Sequence, residues 1–139
     1  MSTSVDSANS ILNLIYRAAA WADVAENDAS SPATVLDIAL HTAAPATSAQ
    51  TSNEATFTSY ARVSVARSGA GWSLASGGSL QNAALIQFPE CTGGSNTITH
   101  VSVGISGTII HYGALSSSRA VSAGIQPQFA AGALVSTMT

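Results

Sequence analysis

Between Thr97 and Leu115 the chain reads TITHVSVGISGTIIHYGAL, two apolar runs interleaved with small and polar residues around a Ser106-Gly107 pair. Runs joined by such a two-residue turn predict an antiparallel hairpin. With the turn at Ser106-Gly107, Ile105 faces Thr108, Val103 faces Ile110, and Val101 faces Tyr112. Side chains alternate across a strand with period two, so these six share one side of the ribbon. The other side carries His100, Ser102, Gly104, Ile109, His111 and Gly113, which are smaller and more polar. A slip of one residue would scramble this sorting, so the pattern predicts a register as well as a hairpin. Val101, Val103, Ile105, Ile110 and Tyr112 are thereby predicted core. The opposite face is predicted to meet a close neighbour.

Upstream the period changes. Residues 1–8 are small, polar and aperiodic, which predicts a flexible N-terminal arm. Ile11, Leu14, Ile15, Ala18 and Ala22 then recur at helical spacing, beside a second stripe of Leu12, Tyr16 and Ala19. Alanine favours helix, and Ser7, Asn9 or Ser10 can cap its start. Asn27, Asp28 and Ser30-Ser31-Pro32 end the run, so the pattern predicts a helix over about 10–27.

From Pro32 onward the chain reads as strands. VLDIALHTA places Leu36, Ile38 and Leu40 on one face and Asp37, Ala39 and His41 on the other. A long Ala/Thr/Ser/Pro loop, Ala43 to Ser52, separates it from SYARVSVARS. Gly69-Ala70-Gly71 and Gly77-Gly78 punctuate the chain around Trp72-Ser73-Leu74, and NAALIQFPE directs Leu85 or Ile86 with Phe88 inward. Short runs at 120–125, 128–131 and 133–136 follow the hairpin. Turn signals recur roughly every ten residues and no crossover helix intervenes. The predicted fold is all-β: a jelly-roll-like β-sandwich of about eight short antiparallel strands with one N-terminal helix. By length, residues 9–139 form a single β-sandwich domain.

Composition sharpens this picture. Charged residues are 8% of the chain, against about 25% in an ordinary soluble domain. There is no lysine; the cations are Arg17, Arg62, Arg67 and Arg119. The net charge of -3 carries no basic footprint, which argues against nucleic acid as a partner. Alanine, serine, threonine and glycine take the place of the missing charges. Such a surface is either a plain Ser/Thr coat or one covered by identical copies or a larger assembly, since solubility leans on charge. Cys91 is the single cysteine, so no intrachain disulfide exists, and it is predicted to be a buried, inert thiol. MSTSVDSANS lacks the basic start and apolar run of a signal peptide, and no uncharged stretch is apolar enough to span a membrane.

Constellations for chemistry are thin. His41, His100 and His111 have no zinc-binding spacing and no cysteine support. His100 and His111 share one face in the predicted register, where two strand histidines are more often polar surface than metal ligands. Asp23, Glu26 and Asp28 read as a solvated helix end, and no acid pair is placed for glycoside hydrolysis. No G-x-S-x-G elbow or phosphate-binding glycine loop occurs. Trp21, Trp72, Tyr16, Tyr60 and Tyr112 are expected to be core or interface anchors before a sugar-stacking platform. The reading is therefore no catalytic, cofactor-binding or metal residues, no cofactor, and no enzyme.

Five segments nonetheless resemble a family of small tailed-bacteriophage virion proteins, labelled tail-fibre-like or capsid decoration (cementing) proteins. They are LNLIYRAAAWADVAEN, LHTAAP, SNEATFTSYARVSVARS, NAALIQFPECTGGSNTITHVSVG and YGALSSSRAVSAGIQPQFAAGAL, and they span most of Leu12 to Leu134. The central hairpin departs from the family pattern, with Ser106-Gly107 in place of a longer Gly-rich connection. The resemblance implies an all-β virion component, made in the bacterial host cytoplasm and carried on the outer capsid surface. The implied role is to cement neighbouring subunits of the major capsid protein, with the 1–8 arm as a clamp. It also implies self-association as a dimer or trimer, and neither nucleic acid nor membrane as partner. The alternative is a tail-fibre or receptor-binding β-module that contacts host surface polysaccharide.

Overall fold

A computed structural model describes residues 1–27 and 30–138. One helix, α1 (Val5–Arg17), precedes eight strands: β1 (Val35–His41), β2 (Val63–Ala66), β3 (Ser79–Gln81), β4 (Ile86–Gln87), β5 (Ser95–Ile105), β6 (Thr108–Ser122), β7 (Gln128–Phe129) and β8 (Val135–Thr137). The all-β class with a single N-terminal helix is as the sequence predicts, and this content is consistent with a β-sandwich. The strands form a four-stranded sheet of order β2-β1-β5-β6 and two ribbons, β3-β8 and β4-β7. The chain divides into two compact units. One comprises Met1–Val35, Ala66–Ile86 and the segment from Phe129 to the C-terminus; the other comprises Leu36–Val65 and Gln87–Gln128.

In the first unit, α1 starts and stops earlier than its alanine pattern predicts. Ser4 is the N-cap, its Oγ accepting from the Ser7 N–H at 3.2 Å, so Val5 to Ala8 of the expected arm are the first helical turns. Ala18 adopts a left-handed conformation (φ 55°) and the Ala19 N–H bonds back to the Asn13 carbonyl at 3.2 Å, closing the helix at Arg17. Residues 18–27 are not helix: the Trp21 N–H bonds the Ala25 carbonyl at 2.8 Å across a tight turn with Asp23 at φ 61°. Asp28, expected at the helix end, lies outside the described residues.

Arg67 explains the early stop. Its guanidinium reaches the carbonyls of Ile15 (2.5 Å), Leu14 (2.6 Å) and Ala33 (3.0 Å), and the Asn27 Oδ1 (2.7 Å). Leu14 and Ile15 are among the last four helical carbonyls, which have no intrahelical donor. A cation there also complements the negative end of the helix. Alanine propensity is worth fractions of a kcal/mol per residue, and tertiary hydrogen bonds override it here. The buried stripe of α1 is Ala8, Leu12 and Tyr16. Tyr16 packs edge-on against Trp72, centroids 4.7 Å apart, and its hydroxyl meets Ser136 Oγ at 2.7 Å. Burial pushes the Tyr16 pKa up to about 12. Asn82, buried, ties the β3-β8 end together. It donates to the Ala84 and Ala130 carbonyls and accepts from the Leu134 N–H, each within 2.9 Å.

In the second unit the hairpin forms at the predicted turn. Ser106 (φ 50°) and Gly107 (φ 81°) are both left-handed, the geometry of a type I′ turn, and Ile105 pairs with Thr108. The register beyond it differs from the sequence reading. Gly104 pairs with Ile109, but Val103 then pairs with His111 rather than Ile110, Ser102 with Tyr112, and Val101 with Gly113. The extra residue, Ile110, is a β-bulge that moves each later β6 side chain to the other face. Val101 and Val103 are core as expected, whereas Tyr112 is 57% exposed and Ile105 and Ile110 are half-buried. A second, larger irregularity follows: Leu115–Ser118, four residues, stand opposite Thr99 alone.

Strand β1 is buried on both faces. Leu36, Ile38 and Leu40 face one way as predicted, but Ala39 and His41 on the other face are buried too. Tyr60 meets Phe57 edge-on and stacks parallel to Phe88, with centroids 5.3 and 6.3 Å away. Cys91 is buried, its thiol directed at the Gly93 carbonyl at 3.2 Å, as a structural cysteine is expected to be.

Candidate functional site

A dense polar cluster lies in the second unit, where the long Ala43–Ser52 loop meets β1 and β5. It begins at His41, wholly buried, whose register partner on β5 is His100. His41 Nδ1 meets the Ser52 carbonyl at 2.9 Å, and a carbonyl only accepts, so Nδ1 carries the proton. Nε2 is then an acceptor, and it takes the Ser102 hydroxyl at 2.7 Å. Ser102 Oγ in turn accepts from Gln50 Nε2 at 3.3 Å, and Gln50 Nε2 also donates to the Asp37 carbonyl at 2.8 Å. Arg62 Nη1 donates to Gln50 Oε1 at 3.3 Å. Its Nε and Nη2 grip Glu54 Oε1 and Oε2 at 2.7 and 2.8 Å, a bidentate pair. Tyr60 completes the chain: its hydroxyl donates to Glu54 at 2.9 Å and accepts from the Leu40 N–H at 3.0 Å.

Electrostatics follow from this wiring. Burial holds His41 below its ordinary pKa, against smaller upward pulls from the Ser52 carbonyl and Glu54. Burial alone would raise Glu54, but hydrogen bonds from Arg62 and Tyr60 outweigh it and hold the carboxyl below the usual range. Burial likewise pushes the Tyr60 hydroxyl up, and the Glu54 hydrogen bond raises Arg62 further.

A serine 2.7 Å from a histidine whose other nitrogen is oriented by an acceptor has the connectivity of a nucleophile and its base. Here both side chains are enclosed, Ser102 at 1% exposure and His41 at 0%, so no substrate reaches the Oγ. The cluster instead fastens the loop onto the sheet. Backbone bonds reinforce it: Gln50 N–H to Gly107 O at 2.8 Å, Ala55 N–H to Leu40 O at 2.8 Å, and Thr42 N–H to Asn53 O at 2.9 Å. This loop covers Ser102 and Gly104, the β5 part of the predicted small-residue face. Gly104 is the closest point: a Cβ there would sit 2.5 Å from the Thr108 carbonyl and 2.6 Å from Gln50 Cδ. Gly104→Ala should therefore force apart the hairpin or the loop, at a cost of about 1–3 kcal/mol. Urea denaturation checks this, and an unchanged midpoint would contradict the packing described.

The two histidines placed together by the sequence pattern are separated. His100 pairs with Ala114 and His111 with Val103, so they lie on opposite faces of the sheet. Burial lowers the His111 pKa. Among the described residues no three His, Cys, Asp or Glu side chains come together in a metal-binding group. Trp72, Tyr16 and Tyr60 are buried or half-buried anchors within the fold, whereas Tyr112 stands on the surface. Sequence reasoning missed the whole cluster, because His41, Gln50, Glu54, Arg62 and Ser102 come from separate segments. The available signal was scarcity: with only 4 basic and 7 acidic residues, Glu54 and Arg62 amid strand residues are conspicuous.

Framework, then, is what these residues build: a hydrogen-bonded loop on an all-β sheet, with a charge-poor exterior. The chain is a structural component of bacteriophage virions. It belongs to the family described as podophage GP4 fiber I protein gp80, whose family model matches residues 1–137. No curated protein matches the sequence. No helix among the described residues is long and apolar enough to cross a membrane.

Proposed function

We propose that this protein is a non-catalytic subunit of a fibre-type appendage on the phage tail, joined to identical copies of itself. The observation that carries this reading is the match over nearly the whole chain to a family described as a podophage fibre protein. The capsid-cementing role implied by the sequence resemblance leaned on a free arm at residues 1–8 and on a compact, charge-poor body. The second half of that arm is the capped start of α1, with Ala8 buried in its first turns, which leaves a shorter arm to support a clamp. The fastened loop over β1 and β5 supports a rigid second unit, which suits a particle component exposed to the medium.

Location on the particle tests the proposal. Immunogold labelling of intact virions with antibody against the purified chain should mark the tail. Label spread over the head, at a copy number set by capsid symmetry, would overturn the fibre reading in favour of capsid cementing.

A further inference from the structure

Strand β6 ends the four-stranded sheet and is fifteen residues long. On its outer side Ser48–Gln50 pairs with its beginning, the Ile109 N–H donating to the Ser48 carbonyl at 2.7 Å across an Ala49–Thr108 bridge. Among the described residues, no strand lies beside the outer edge from Tyr112 to Ser122. Tyr112, Ala114 and the run from Ser116 to Ala120 are exposed. Natural edges are guarded by lysine, proline, inward charges, bulges or a covering loop; on β6 the loop covers only the start and the bulge only Leu115–Ser118, which leaves the runs at 111–114 and 119–122. β6 has no lysine, proline or carboxylate, and Arg119 is its single permanent charge.

We propose that β6 pairs antiparallel with β6 of a second copy of this chain, across a two-fold axis through the Leu115–Ser118 bulge. An uncharged edge fits an uncharged partner strand, and β6 is itself one: Thr108 to Ser118 contains no Arg, Lys, Asp or Glu. The bulge splits β6 into regular runs at 111–114 and 119–122. A two-fold axis through it sets each run against the other run of the second copy, Ala114 opposite Arg119 and Tyr112 opposite Val121. These four share a face, because their β5 partners are His100, Ile98, Ser102 and Asn96, residues of one parity. The arrangement keeps the two Arg119 side chains apart and sets each diagonal to a Tyr112 ring, within reach for cation–π contact. Ser48–Gln50 already adds a strand to this edge, and the second copy continues that pairing. The inference rests on the fibre reading only in giving copies a way to join, and its test is independent of where the protein sits on the particle.

The test is sedimentation velocity on the purified full chain over a concentration series, with Ala114→Lys, Ala114→Glu and, in the first unit, the exposed Leu74→Lys as variants. Wild type and Leu74→Lys should form a two-chain species. Ala114→Lys places a cation opposite Arg119 twice and should weaken association on the order of 100-fold or more. Ala114→Glu places a carboxylate there and should retain or tighten it. Circular dichroism melts matching the wild type confirm that the variants fold. A monomeric wild type, a three-chain species, or equal responses to lysine and glutamate would overturn the proposal, whereas a head or tail location would not bear on it.

Discussion

Replacing Arg67 with methionine should destabilise the first unit by roughly 3–5 kcal/mol, one of the two largest effects expected of a single substitution. Methionine keeps much of the stem's packing but removes every donor. The carbonyls of Leu14, Ile15 and Ala33 and the amide oxygen of Asn27 would lose their guanidinium partner together. A buried acceptor left without a donor costs about 1–3 kcal/mol, and relaxation toward water recovers part of the sum. The cation at the helix C-terminus adds about 0.3–1 kcal/mol more. Lysine should rescue little, because a single ammonium cannot span acceptors in the helix end, the turn and the segment before β1 at once. Burial already holds Arg67 below its ordinary pKa, so the site tolerates a charge only because these oxygens surround it. Thermal unfolding of Arg67→Met and Arg67→Lys checks this. A loss below about 1 kcal/mol in both would mean that the helix end is satisfied by other groups.

How far the sequence discloses this fold depends on whether the deciding forces are local. Ser106-Gly107 is legible because a two-residue hairpin turn needs two left-handed residues, and glycine supplies one without strain. The Leu36, Ile38, Leu40 stripe is legible because alternation is a property of the strand itself. The register of β6 is not. The bulges at Ile110 and at Leu115–Ser118 shift pairing by amounts that no local preference specifies, and the first carries Tyr112 from the expected core to the surface. Helix α1 fails in the same way: AAAWADVA favours helix on propensity, but the capture of its last carbonyls by Arg67, fifty residues away, ends it at Arg17. The polar cluster is least legible, since its members meet only after the 43–52 loop folds back on the sheet. The family resemblance, by contrast, was carried by framework residues and reached the right class of virion protein without fixing the place on the particle.

Ser102→Ala should cost about 2–5 kcal/mol, because removing the hydroxyl strands two buried groups. His41 Nε2 loses its only donor in the cluster, and Gln50 Nε2 loses one of its two acceptors. The same wiring makes the fold acid-sensitive, and the sign follows from the direction of the shift. His41 titrates near pH 6.5 when unfolded and lower when folded. Above that value the imidazole is neutral in both states and contributes no pH dependence. Below it the unfolded chain takes up a proton that the folded chain refuses, so stability falls with pH, by up to about 1.4 kcal/mol per unit for each such group. His111 is shifted the same way by burial and adds to the slope. Glu54, held low by Arg62 and Tyr60, extends the loss below its ordinary range near pH 4.5. Wild-type unfolding free energy should therefore be flat from about pH 7 to 9 and decline from about pH 6.5 downward; above about pH 9 the tyrosine hydroxyls of Tyr16 and Tyr60, raised by burial, make it fall again. His41→Gln should start lower at pH 7.5 yet lose less between pH 6.5 and 5, since only His111 of the pair remains to titrate. Chemical denaturation across that range decides it. Equal slopes for the two proteins would show that His41 accepts a proton as readily folded as unfolded, and that the loop is not held by a neutral imidazole.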